Sequence, residues 1–162
     1  MNTLVKPIPE DMHSLTPHLV CKGALEAMAF YQRAFDAVDG GTLLDNDAKL
    51  MHGRLLIGDS TLMLMEENLA WGALGPATLK GSPVTLHLNV RDVDAVFAQA
   101  VAAGATPRMA PTEMFWGDRY GVLTDPFGHS WAVATHTRDM TPEEIQAAAS
   151  QMAPCPDAVN PL

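Results

Sequence analysis

The chain has 162 residues, enough for one ordinary domain or for two very small halves sharing a core. Hydrophobic residues make up 48% and charged residues 18%, the composition of a globular chain and not of a disordered one. With 10 basic against 19 acidic residues the formal charge is −9, which repels phosphate backbones and argues against a nucleic-acid partner.

The start, "MNTLVKPIPEDMHSLTP", is broken by prolines and acids and has no apolar h-region, so it does not read as a secretory signal. No apolar run reaches membrane-spanning length, so no membrane partner is expected. Cys21 and Cys155 have no CxxC or other ligand spacing and read as free thiols in a reducing cytoplasm.

Along the chain, "HLVCKGALEAMAFYQRAF" (18–35) is echoed by "HLNVRDVDAVFAQAVAAG" (87–104). Each is a short apolar strand beginning at a histidine and turning into an amphipathic helix. Leu25, Met28, Ala29, Tyr31, Gln32 and Phe35 mark the first helix; Val93, Val96, Phe97, Ala100 and Val101 mark the second. Asp92 and Gly104 supply start and stop signals.

Three strand-like runs follow each helix: about 41–45, 50–57 and 60–66, then about 106–113, 118–124 and 129–136. "GD" at 58–59 predicts a tight hairpin turn. Overlaying "FGHS" (127–130) on "IGDS" (57–60) puts His129 in the place of Asp59, a turn residue and not a catalyst. The fold class is α+β, with two βαβββ modules at about 14–67 and 83–137. Residues 68–82 form a Gly/Ala/Pro-rich connector and 138–162 a C-terminal helix and tail. One such unit exposes a sheet face it cannot cover alone, so two must pair, within a chain or between chains.

In the tail, Thr141 as N-cap, Pro142, Glu143 and Glu144 predict a short helix to about Met152. In "MFWGDRYG", Trp116 and Tyr120 suit a lid over a flat ligand, with Arg119 on a ligand carboxylate or phosphate. The competing reading is structural: a glycine-permitted bulge, a packed Trp116, and Arg119 paired with Asp118 or another acid. Trp131 reads as core, and Trp71 as an anchor for the connector or a dimer contact. No GxSxG, P-loop, GxGxxG after a strand or HExxH occurs.

The double echo, with "VRDVDAVFAQAVAAGA", "WGDRYG" and "DPFGHSWAVATH", resembles the vicinal oxygen chelate superfamily over about residues 14–137. That group includes glyoxalase I, extradiol dioxygenases, and fosfomycin and bleomycin resistance proteins; its PhnB-like branch is the best match. The resemblance implies modules whose mixed sheets curl into a cleft for a small molecule, usually in a homodimer. Metal enzymes of the superfamily take ligands from the first and last strands of each module. Those positions fall here on Thr16, Leu62, Thr85 and Ala132, none of which offers an imidazole or carboxylate. No cofactor is therefore expected.

Strand alternation puts His18 and His87 on the cleft side, Glu66 with Leu62, and Tyr31 and His52 nearby. The leading expectation is a binding protein whose ligand meets His18, His52, His87, Trp116, Arg119 and Tyr120. The alternative is a metal-dependent lyase or isomerase holding a divalent ion on His18, Glu66 and His87.

Overall fold

In the first half of the chain, a strand of four residues leads into a helix and then into a three-strand meander. The computed structural model describes residues 5–10 and 12–151. The first module comprises β1 (His18–Cys21), α1 (Ala24–Phe35), β2 (Val38–Leu44), β3 (Leu50–Ile57) and β4 (Ser60–Glu66). A 3-10 turn (Leu69–Trp71) and a short α2 (Pro76–Leu79) lead to the second module. That module comprises β5 (Thr85–Asn89), α3 (Val93–Ala103), β6 (Thr106–Glu113), β7 (Asp118–Thr124) and β8 (Ser130–His136), followed by α4 (Pro142–Ser150). The sheets run β1-β4-β3-β2 and β5-β8-β7-β6, each with its first strand parallel to its last and the other pairs antiparallel.

The local signals explain the helices. Asp92 caps α3 by accepting from the Ala95 amide at 3.0 Å, and Gly104 ends it at φ 121°. Thr141 and Glu144 form a reciprocal capping box at the start of α4. That helix ends at Ser150, and Met152 and Cys155 lie outside the described residues. The second strand, β2, begins at Val38, ahead of the expected 41. Trp71 is 75% exposed and anchors nothing within the chain's own core.

Pairing register corrects one expectation. Leu19 lies opposite Leu64 and Leu88 opposite Val133, so first and last strands both repeat at a shift of 69. The β3–β4 connection is a two-residue turn, because Ile57 pairs with Ser60. The β7–β8 connection is a five-residue loop, 125–129, because Thr124 pairs with Ser130. His129 thus stands in the place of Ser60, not of Asp59, and it is buried. Sequence overlay hid the longer loop because both connections end in glycine, one residue and serine.

One core joins the modules. Inward-facing Leu19, Cys21, Leu55, Leu62 and Leu64 of the first sheet share it with Leu123, Trp131 and Val133 of the second. Between the sheets, α1 and α3 pack side by side, with the Gln99 amide donating to the Arg33 carbonyl and to Asp36 Oδ1, both at 2.9 Å. Tyr31 and Phe35 of α1 reach across to the Trp131 ring, at centroid distances of 5.4 and 4.6 Å. The order of layers is sheet, helices, sheet, and the outer faces of the two sheets point away from each other.

The loop 125–129 is the joint between the modules. Asp125 is 4% exposed, and its Oδ2 accepts from the Tyr31 hydroxyl at 2.6 Å and the Trp131 indole N–H at 2.9 Å. Its Oδ1 accepts from the Phe127 and His129 amides, each at 2.9 Å. His129 Nδ1 lies 3.4 Å from Oδ2, with no hydrogen bond of its own. Burial alone would raise the Asp125 carboxyl, but the His129, Tyr31 and Trp131 groups turned on it hold it below the usual carboxylate value. Phe127 packs on the Phe30 and Tyr31 rings. Gly128, at φ 94°, lies against Pro76 of α2, where an added Cβ would come within 2.9 Å of the proline.

Candidate functional site

On the second sheet, alternation sends Leu86, Leu88, Trp131 and Val133 inward and Thr85, His87, Asn89, Ala132 and Ala134 outward. The inner strand β8 thus carries two buried alanines on its outer face. His87, level with Ala132, and Tyr120, level with Ala134, lean over this low floor from the flanking strands. Their ring centroids lie 5.9 Å apart. Tyr120 meets Trp116 edge-on at 5.7 Å, and Trp116 meets Phe115 at 4.9 Å. These four rings form a continuous shelf along one face.

The shelf is braced at one end. Trp116 donates its indole N–H to Asp118 Oδ2 at 2.9 Å, and Asp118 Oδ1 lies 2.8 Å from His136 Nδ1. Asp118 and Asp139 raise the His136 pKa above its ordinary value. Gly117, at φ 99°, turns the chain before β7; an added Cβ would sit 2.2 Å from the Arg138 carbonyl. Strand pairing alone places His136 and Ala134 beside Tyr120, so sequence reading passed over them, whereas Ala132 was one of the expected ligand positions.

Arg119 is not on this shelf. It neighbours Tyr120 in a strand and therefore points to the helix side, where its guanidinium grips Asp94 of α3 at 2.7 and 2.8 Å. The structural reading of Arg119 holds, with Asp94 as the partner instead of Asp118.

On the first sheet, Leu62, Leu64, Leu19 and Cys21 point inward, and His18, Val20, Met63 and Met65 outward. The expected ligand position Leu62 is therefore a core residue. Met63 is the outward position matching Ala132, because a one-residue slip exchanges the faces. His18 and His52 share the outer face in an edge-on contact at 5.7 Å. Partial burial and the nearby His52 lower the His18 pKa, favouring the neutral ring. Leu56, Val38 and Leu43 lie level with one another or with His52 on the same outer face.

Tyr31, expected near the cleft, is buried between the sheets, where burial and the Asp125 charge push its pKa well up. Burial likewise pushes the Cys21 thiol up, so this cysteine is an unreactive core residue.

Glu66 faces the same side as Leu62, as alternation requires, but that side is the interior. Gly23 at the α1 N-cap has no side chain to offer, and Glu66 accepts from the Gly23 and Ala24 amides at 2.9 and 2.7 Å. Glu66→Ala is expected to cost about 1–2 kcal/mol of stability, read by urea denaturation. His18, Glu66 and His87 do not come together in one chain, and no group of three or more His, Cys, Asp or Glu among the described residues is placed to hold a metal. The outward neighbours of His18 are His52 and Met63, and those of His87 are Asn89, Ala132 and Tyr120, so neither histidine has a carboxylate beside it on its own sheet face.

Two βαβββ modules, each a four-stranded mixed sheet with a parallel first–last strand pair, define the glyoxalase/bleomycin resistance fold. The chain belongs to the Glyoxalase/Bleomycin resistance protein/Dioxygenase superfamily, whose family model matches residues 13–133. An uncharacterized protein of Mycobacterium tuberculosis, Rv0887c, is 46% identical over 140 residues, covering 85% of this chain and 82% of its own. The Arabidopsis thaliana protein At5g48480 is 31% identical over 126 residues, covering 73% of this chain and 75% of its own. Among solved structures, PA1353 from Pseudomonas aeruginosa superimposes with a TM-score of 0.64 at 24% identity, covering 78% of this chain and 99% of its own. TioX from Micromonospora sp. ML1 gives 0.62 at 21%, covering 76% and 98%. These two likenesses concern the fold. No helix among the described residues is long and apolar enough to cross a membrane.

Proposed function

We propose that the protein binds a small, flat, partly apolar molecule on the shelf of His87, Tyr120, Trp116 and Phe115, without a metal ion. The observation that carries this reading is the pairing of that ring row with the alanine floor of β8. The rings offer stacking surface, and the small alanines beneath them, Ala132 and Ala134, lie buried under the row. The cup is completed by a second copy in a homodimer, which lays the outer face of its first sheet over the shelf. Support comes from the chain's own layering: among the described residues no element packs over that face, although Val20, Leu56, Met63 and Met65 lie on it. Thioethers there would adapt to varied apolar ligands, and the neutral His18 ring would offer one donor and one acceptor. This is the arrangement expected of the PhnB-like branch, working in the cytoplasm.

A thermal-shift screen of small aromatic compounds, followed by titration calorimetry, tests the reading. Tyr120→Ala should weaken a confirmed ligand by about tenfold, the worth of one stacking ring. Unchanged affinity in that variant would remove the shelf from the site. Elemental analysis of the purified protein should find no stoichiometric metal; bound zinc, nickel, manganese or iron lost on His87→Ala would overturn the metal-free reading.

A further inference from the structure

We propose that the cleft between the two modules is a second small-molecule site, separate from the cup, for an uncharged aromatic molecule bearing an amide-type donor–acceptor pair. The cleft holds about 780 Å³ and runs between the β3–β4 turn, the end of α1 and the free edge of β5. That volume suits a small ligand.

The internal repeat shows that the cleft is an underfilled copy of a filled place. At the shift of 69, Leu19, Cys21 and Ala27 correspond to Leu88, Val90 and Val96. The first three are 8%, 0% and 0% exposed, whereas their counterparts remain only half-buried. Phe127 and Pro76 supply the missing cover on the first side: the five-residue loop 125–129 carries Phe127 onto the Phe30 and Tyr31 rings, and Pro76 lies over Gly128. The two-residue turn at Gly58 and Asp59 carries no such ring; among the described residues no helix lies over it, and only the segment of His13, Leu15 and Pro17 borders the cleft there. Apolar side chains therefore line a gap of the kind that an aromatic ring fills on the other side.

The polar edge narrows the chemistry. The Val90 amide donates to the Ala134 carbonyl, so in this parallel pair Leu86, Leu88 and Val90 bond toward β8. Thr85, His87 and Asn89 consequently turn their N–H and C=O groups toward the free edge, along the cleft. Those groups match an amide. The lining carries one cation, Arg91, and two carboxylates, Asp36 and Asp59, so an anionic ligand is disfavoured and the amide-like edge suits a neutral one.

The probe is N-acetyl-L-phenylalanine amide, with N-acetylglycine amide as control, titrated into the full chain and followed by amide NMR. We expect saturable shifts at Leu88, Val90 and Val96 with the phenylalanine compound and none with the control. Val96→Phe, which fills the gap, should weaken the probe by at least about tenfold while leaving the melting temperature equal or higher. Tyr120→Ala should leave the probe's affinity within about twofold, since the shelf lies on the opposite face of the sheet. The proposal fails if the probe does not saturate at millimolar concentration, if the control binds equally, or if the shifts fall on Tyr120 and Ala134. It also fails if Val96→Phe leaves probe binding intact and instead changes the oligomeric state, which would make the cleft a contact for a second copy. None of these failures counts against ligand binding at the shelf, and shifts at Tyr120 and Ala134 would favour it.

Discussion

Asp125→Ala is expected to lower the free energy of unfolding by about 3–5 kcal/mol, as chemical denaturation would show. One buried carboxylate satisfies the Tyr31 hydroxyl, the Trp131 indole and two loop amides at once. Its removal leaves those donors orphaned in a dry interior and leaves His129 without its acid. Tyr31→Phe deletes a single one of these bonds and should cost about 1 kcal/mol, since its partner keeps other donors. The pH dependence follows from the same geometry. The folded Asp125 pKa is depressed. Its contribution is therefore fully present above the ordinary aspartate value of about 3.9 and is lost as pH falls through the lower folded value. Asp125→Asn should remove that acid limb; an unchanged acid transition in the variant would show that other carboxylates set it.

The second large effect concerns the outer face of the first sheet. Met63→Glu combined with Met65→Glu should convert the proposed dimer to a monomer by light scattering and abolish ligand binding. Both side chains lie on the outer face beside Val20 and Leu56, so in the monomer the new carboxylates meet water and the fold is kept. In the dimer they would be buried without partners, at a cost of several kcal/mol that weakens association by at least about a thousandfold. A dimer of unchanged affinity would place the interface elsewhere.

Most of the fold was legible because two periodicities and the repeat agreed. Strands 50–57, 60–66, 106–113 and 118–124 follow from alternation between turn signals, and α3 from its Asp92 and Gly104 punctuation. The site was harder to read, for a geometric reason. Alternation fixes which residues share a face but not which face is interior, and that ambiguity turned Leu62 and Glu66 from cleft candidates into core and cap. Neighbouring Arg119 and Tyr120 could not both face the ligand, a constraint of period two that aromatic-plus-charge reading overlooks. The His87–Tyr120 contact lies across a third strand, so only the pairing register reveals it. The loop 125–129 looked like a simple turn because the burial of Asp125 depends on Tyr31, 94 residues away.

A mixing experiment tests the shared cup most directly. One chain carries His18→Ala with His52→Ala, disabling its first-sheet face; the other carries Tyr120→Ala, disabling its shelf. Each is unfolded, and the two are refolded alone or together before calorimetric titration with a compound that binds the unaltered protein. If the cup is shared, a mixed dimer contains one wholly intact site, so binding of near-original affinity returns at up to half a site per chain in that dimer. If each site is built within a single chain, every site in the mixture carries a lesion and the affinity stays at that of the separate variants.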